Sequence, residues 1–266
     1  MLQLIQQAVL LIGTATGAVT DAKTGYIYDW ITYPMIIIGL ILSVIQQQWM
    51  NVGIGAIIFT IMYIAYRFGK IGGGDVKLFT AIALLNPINQ PVFLFTILFF
   101  SAVSAMIFYS IFYTIKYYRI GIKLADNKKG ISKAIVFGVI IVFYFVMLLQ
   151  MQLITTPSVV LMLTPLLFGL LFIALQEGIK KNFFETKITL SKLEEDEVIA
   201  EGRNPKNIEK ILKGKQIIGE KEKLLLKKAG IKSLYVLRKL PPFGPFILIG
   251  TIAAILQPDF MLFIFI

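Results

Sequence analysis

The chain contains no cysteine and no histidine. The first absence rules out a disulfide framework, a thiolate zinc site, an iron–sulfur cluster and a cysteine nucleophile together. The second removes the imidazole base used by the common serine and cysteine hydrolases, and with both gone metal chemistry is remote; a pair of carboxylates, the hydrolytic device left open, needs neither metal nor cofactor. Charge is scarce as well: 15% of the 266 residues are charged and 57% are hydrophobic. Soluble domains hold roughly 25% charged and 45–50% apolar residues, so this composition places the chain in lipid.

What the chain does have is long apolar runs. A helix that crosses a bilayer needs about 20 mostly apolar residues. Windows near 2–20, 30–48, 51–66, 91–115, 134–153, 157–176 and 243–262 have that character. An eighth, from Asp75 to Asn86, is short enough to be re-entrant by length alone. If all eight cross, one set of loops lies around 21–29, 67–75, 116–133 and 177–240, and the other around 49–51, 87–90 and 154–156. The first set, with adjoining helix ends such as Lys77, carries all 26 Lys and Arg; the second carries none. Were the short segment not to cross, the basic loop from Lys116 to Lys133 would face outward, against the positive-inside rule. The expected fold is therefore an all-α polytopic membrane protein of about eight transmembrane helices, with both termini outside. The net charge of +11 then reflects basic loops held against anionic membrane lipids, not a nucleic-acid surface.

One stretch breaks the apolar pattern. Residues 177–240 hold ten of the fifteen acidic side chains and sixteen of the basic ones, which predicts a small cytosolic α/β subdomain inserted before the last helix. The division is 1–176 for the membrane part, 177–240 for the subdomain and 241–266 for the last span. Ser191-Lys192-Leu193-Glu194 has the form of a capping box. Asn204-Pro205 places an N-cap before a helix-compatible proline, with Ile208, Ile211 and Leu212 on one face. A second helix is expected to end at Gly230, and the alternation around 187–190 and 233–237 predicts short strands.

Outside that stretch only Asp21, Asp29, Asp75, Asp126 and Asp259 remain as acids, and carboxylates in or near hydrocarbon are costly enough to need a reason. Asp126 sits in a basic polar loop, and Asp259, after Pro258, marks a bend or boundary in the last span. Asp21 follows a small, polar helix end, Gly13-Thr14-Ala15-Thr16-Gly17-Ala18, a surface that lets another helix approach closely. Asp75 follows Gly72, Gly73 and Gly74, and topology puts it on the same cytosolic side as Asp21. Glycines at such a point leave room for a peptide backbone; the same four residues also make a plain turn with an N-cap aspartate. Two carboxylates close together share a proton, so that one activates water while the other polarises a carbonyl.

Ile71-Gly72-Gly73-Gly74-Asp75-Val76-Lys77-Leu78 resembles the GxGD signature of the prepilin and preflagellin (archaellin) peptidases, including the residues after the aspartate. The stretch from Asp21 to Thr32 resembles that family's other aspartate box, with Tyr28 standing where the family has proline and Asp29 where it has Asn or Asp. Pro242-Phe243-Gly244-Pro245 is similar to the family's segment entering the last helix. The resemblance implies a GxGD-type intramembrane aspartyl protease, of the archaeal branch, in the plasma membrane. It would cut short basic signal peptides from prepilin or archaellin precursors at the cytosolic face, with Asp21 and Asp75 as catalytic pair. Bacterial relatives often add a cysteine-based zinc domain and an N-methyltransferase; without cysteine, peptidase activity alone is expected.

Around that pair, Gly72, Gly73 and Gly74 are expected to admit the substrate backbone. Lys77 is expected either to reach phospholipid head groups or to balance the site's charge, and Asp29 either to cap the second helix or to meet a basic signal peptide. The segment from Pro242 to Pro245 is expected to close over the site or to dock substrate. Two rivals stand beside this reading. A presenilin-like protease is disfavoured because no paired-tyrosine box accompanies the first aspartate. An ion- or proton-coupled transporter using the same carboxylates is disfavoured by the lack of an inverted repeat and by acids near a membrane face rather than the midplane.

Overall fold

Backbone polar groups in hydrocarbon must be satisfied within their own segment, so apolar runs fold as helices. The computed structural model describes residues 1–69, 71–193, 197–200, 202–212, 215, 217–237 and 241–263. Seven helices come first: α1 (Leu2–Thr24), α2 (Asp29–Ile45), α3 (Trp49–Arg67), α4 (Gly73–Leu84), α5 (Pro91–Arg119), α6 (Leu124–Gln150) and α7 (Thr156–Ile179). Among the described residues five helices are long and apolar enough to cross a membrane: α1, α3, α5, α6 and α7 with the π-helical turn that extends it to Phe184. The apolar α2 is shorter, at 17 residues, and α4 has only 12.

The position of α4 explains its composition. It packs against α3, α2 and α1, and every residue from Leu78 to Pro87 is buried. A helix that is apolar on all sides is one covered on all sides. Its C-terminal end is tied down by polar side chains where lipid offers no partner: Ser43 Oγ donates to the Leu84 carbonyl at 2.8 Å and Asn51 Nδ2 to the Asn86 carbonyl at 2.8 Å. Gln48 Oε1 accepts from both Asn51 Nδ2 and Gln6 Nε2, which brings the start of α1 into the same buried cluster.

The last apolar window is not one helix. Helix α10 (Gly244–Leu256) stops, the chain turns through Gln257–Asp259, and a short α11 (Phe260–Phe263) follows. Pro258 has no N–H to carry the helix on, and its carbonyl is taken by Thr96 Oγ1 of α5 at 3.0 Å. The bend expected at Asp259 is there. Helix α10 packs against α5 and α1, so the end of the chain returns to the helix that carries Asp21.

Between α7 and α10 the chain forms strands β1 (Glu185–Thr189), β2 (Glu197–Ile199), β3 (Ile217–Ile218) and β4 (Ser233–Leu237), with helices α8 (Lys206–Ile211) and α9 (Glu220–Lys228). The sheet order is β1-β4-β2-β3, with antiparallel pairs throughout. Ile188, Ile199, Ile208, Leu212, Ile218, Leu226, Leu234 and Val236 form its core, and Gly230 turns the chain after α9 with φ 72°. The side chains of β2 and β3 also touch the membrane part. A Cβ at Gly69, between α3 and α4, would sit 3.4 Å from Val198 Cγ1 and 3.5 Å from Ile217 Cγ1.

Two local expectations in this stretch are corrected. Ser191 does not cap a helix, because Leu190–Lys192 is a single 3-10 turn leading toward β2; Glu194 lies outside the described residues. Asn204 does not cap α8: its side chain instead accepts from the Tyr235 N–H at 2.8 Å and donates to the Tyr235 and Ala200 carbonyls, stitching the α8 approach to β4.

Candidate active site

Asp21 lies one turn before the end of α1, which closes when Gly25 adopts a left-handed φ of 75°. The small face expected to admit neighbours does so: Gly17 faces Ile27 and Leu78, and Ala18 faces Gly244. This leaves Asp21 buried, 7% exposed, against the start of α10. The Gly244 N–H donates to Asp21 Oδ2 at 2.6 Å, and the Phe243 N–H faces the same carboxylate. These are among the first amides of α10, which have no partner inside their own helix. Glycine is required there, since a Cβ on Gly244 would lie 3.0 Å from Asp21 Cβ and Oδ2 and 3.2 Å from Ala18 Cα.

Asp75 lies in the first turn of α4, where Gly72 is the N-cap. Its carboxylate turns back toward the Gly72 backbone, the reach that acidic side chains in a first helical turn commonly make. Both aspartates thus sit at a helix N-terminus, the end that attracts negative charge, and they lie within electrostatic reach of each other. The three glycines divide their work. Gly74 is needed within the protein, because a Cβ there would be 2.9 Å from the carbonyl oxygen of Ile27; Gly73 lies against Tyr66; Gly72 is exposed beside the Asp75 carboxylate.

Lys77 and Asp29 pair directly with each other, and the Lys77 ammonium also lies 4.9 Å from the centre of the Tyr33 ring. Asp29 opens α2 without a side-chain capping bond, so the capping expectation is not met, and the charge-balancing expectation for Lys77 describes its contact. Pro242 and Phe243 approach the site beside Gly244, with Pro245 in the first turn of α10. Phe243 packs against Phe79 of α4, ring centres 6.3 Å apart.

Tyr109 of α5 was not singled out by sequence. Its hydroxyl donates to the Pro242 carbonyl, holding the strand of chain that delivers the Gly244 N–H to Asp21. The available signal was a tyrosine inside an apolar span, since a buried hydroxyl needs a partner; the partner, 133 residues away, was not readable.

The arrangement offers two carboxyl groups from different helices, each addressed by a backbone N–H, beside an exposed glycine. Such a pair can activate water and polarise a carbonyl. No curated protein and no solved structure matches the chain. Residues 8–111, which include Asp21, Asp29, Asp75, Lys77 and Tyr109, match the type IV leader peptidase family. That match supports membership of the prepilin and preflagellin peptidases, the family that both aspartate motifs resemble.

Proposed function

We propose that the protein is a membrane-embedded aspartyl endopeptidase that removes the short basic signal peptide of type IV prepilin-like or archaellin precursors at the cytosolic membrane face. The observation that carries this reading is the convergence of Asp21 and Asp75 at the starts of α10 and α4, within a segment matching leader peptidases. In the reaction, one carboxylate takes a proton from a water molecule as the water oxygen attacks the scissile carbonyl. The other, protonated, donates to the carbonyl oxygen; collapse of the tetrahedral intermediate returns a proton to the leaving amine. Nothing in these steps calls for a metal or cofactor, and no N-methyl transfer is proposed.

The proposed topology has eight crossings, with α4 buried among its neighbours, α2 presenting an apolar face outward and both termini outside. It puts every Lys and Arg loop on the side of the aspartates. The test is cleavage of a prepilin or archaellin precursor by detergent-solubilised wild type, Asp21→Asn and Asp75→Asn, each checked for folding. Loss of cleavage in both variants is expected. Near-normal cleavage by either ends the two-aspartate mechanism, and a wild type inert across a precursor panel favours ion or proton transport instead.

A further inference from the structure

Lys77 stands two residues beyond Asp75 in α4, so at 3.6 residues per turn its side chain leaves the helix on roughly the opposite flank. There it meets Asp29 and the ring of Tyr33. Asp29 and Tyr33 are four residues apart and share one face of α2. Their ammonium partner is therefore held between a carboxylate and an aromatic face, two contacts that each favour a cation. The short link carrying Ile27 joins α1 to α2, and Gly74 packs on it closely enough to exclude a Cβ.

The first turn of α4 is thus held at two points on the same link-and-helix unit, Gly74 on Ile27 and Lys77 on Asp29. The first contact is close packing on the Ile27 backbone and sets how near α4 can come. The packing of Leu78 to Pro87 and the bonds from Ser43 and Asn51 hold the rest of the helix, at a distance from its first turn. The second contact is directional and lies across the axis from Asp75. We propose that the Asp29–Lys77–Tyr33 cluster is a positioning device, which fixes the orientation of the first turn of α4 and so aims the Asp75 carboxylate at the water and peptide held near Asp21. It rests on the peptidase reading above, and it assigns Asp29 to the enzyme's own lysine instead of to the signal peptide.

The test measures kcat and KM for cleavage of two precursors, one with a basic and one with a neutralised signal peptide, together with thermal unfolding in the same detergent. Lys77→Ala and Asp29→Asn are expected to lower kcat about 10- to 100-fold, as small misplacements of reacting groups do, with KM within about twofold for both precursors. Lys77→Arg is expected to keep most of the activity. The exchange Asp29→Lys with Lys77→Asp preserves the summed reach of the pair and is expected to recover at least about tenfold over the worse single variant. The inference is overturned if Lys77→Ala retains full kcat. It is equally overturned if Asp29→Asn acts only by raising KM for the basic precursor, which would make Asp29 a substrate contact, or if the exchanged pair is folded and no better than the single variants. The peptidase reading fails separately, through cleavage by Asp21→Asn or Asp75→Asn.

Discussion

Replacing Gly244 by alanine asks whether the amide delivered to Asp21 matters. The added Cβ would lie 3.0 Å from Asp21 Cβ and 3.2 Å from Ala18 Cα. Carbon atoms rest about 3.5–4.0 Å apart, and neither neighbour is the free end of a flexible side chain, so α10 must withdraw from α1 by about 0.5 Å. That withdrawal stretches the 2.6 Å bond from the Gly244 N–H to Asp21. A hydrogen bond to a charged group contributes about 1.5–3 kcal/mol. Losing half of it, about 0.8–1.5 kcal/mol, lowers kcat about 4- to 13-fold at 1.36 kcal/mol per tenfold. Overpacking costs a further ~1–3 kcal/mol of stability, so cleavage is measured well below the melting temperature. Gly53→Ala is the matched control, because a Cβ there meets nothing within 4 Å; its kcat should stay within about twofold while the helix gains ~1 kcal/mol. A folded Gly244→Ala enzyme that cuts precursor as fast as Gly53→Ala would show that this amide does not support the site.

Tyr109→Phe removes the hydroxyl that holds the Pro242 carbonyl. A bond worth about 1 kcal/mol predicts a roughly fivefold fall in kcat with little change in KM, read in the same cleavage assay. Asn51→Leu strands the Asn86 carbonyl, which now accepts from Asn51 at 2.8 Å. A loss of about 1–3 kcal/mol is expected, seen as a lower melting temperature, with kcat at low temperature changed less than twofold because the cluster lies at the far end of α4 from Asp75. Glu222 in α9 is held below its ordinary 4.5, chiefly by its hydrogen bond to Lys215. A lowered folded-state pKa gives stability present above the unfolded pKa and lost as pH falls through the folded one. The protection factors of amides at the start of α9 in the full-length protein, with the intrinsic pH dependence of exchange divided out, should therefore fall as pH drops through the carboxylate range, and Lys215→Met should lessen that acid sensitivity.

The apolar windows were legible because lipid allows few alternatives to helix, and each contains a helix. Lengths were less legible. Helix α4 starts two residues before its window and α10 stops short of the end of its own at Pro258; neighbours cover α4 while α2 leaves Trp30, Ile37, Ile41 and Ile45 exposed, and an apolar run does not say whether neighbours or lipid surround it. The extension of α7 through the π-helical turn to Phe184 passed unnoticed because its residues, Lys180-Lys181-Asn182-Phe183-Phe184, read as the start of a polar loop. In the sheet, β1 and β4 showed their alternation, β2 and β3 are too short to show any, and the role of Asn204 depends on Tyr235 across 31 residues and is invisible to local pattern. The site divides in the same way. Asp21, the glycines and Asp75 announce themselves by type and spacing; the contacts around them, Gly244 to Asp21, Tyr109 to Pro242 and Lys77 to Asp29, are tertiary and join residues that no window contains together.

The shortness of α4 bears on how the enzyme is made. At 1.5 Å per residue its 12 residues cover about 18 Å, against about 30 Å of hydrocarbon, so it is a poor candidate for insertion on its own. Its burial against α1, α2 and α3, with Ser43 holding the Leu84 carbonyl and Asn51 the Asn86 carbonyl just beyond it, makes its placement depend on the neighbouring helices. Asp75 and Asp21 come from different helices, α4 and α1, so only the packing of these helices brings them near each other. On the two-aspartate reading proposed above, a chain in which α4 is not yet seated carries both aspartates and no pair, and is expected to be inert until the bundle is complete.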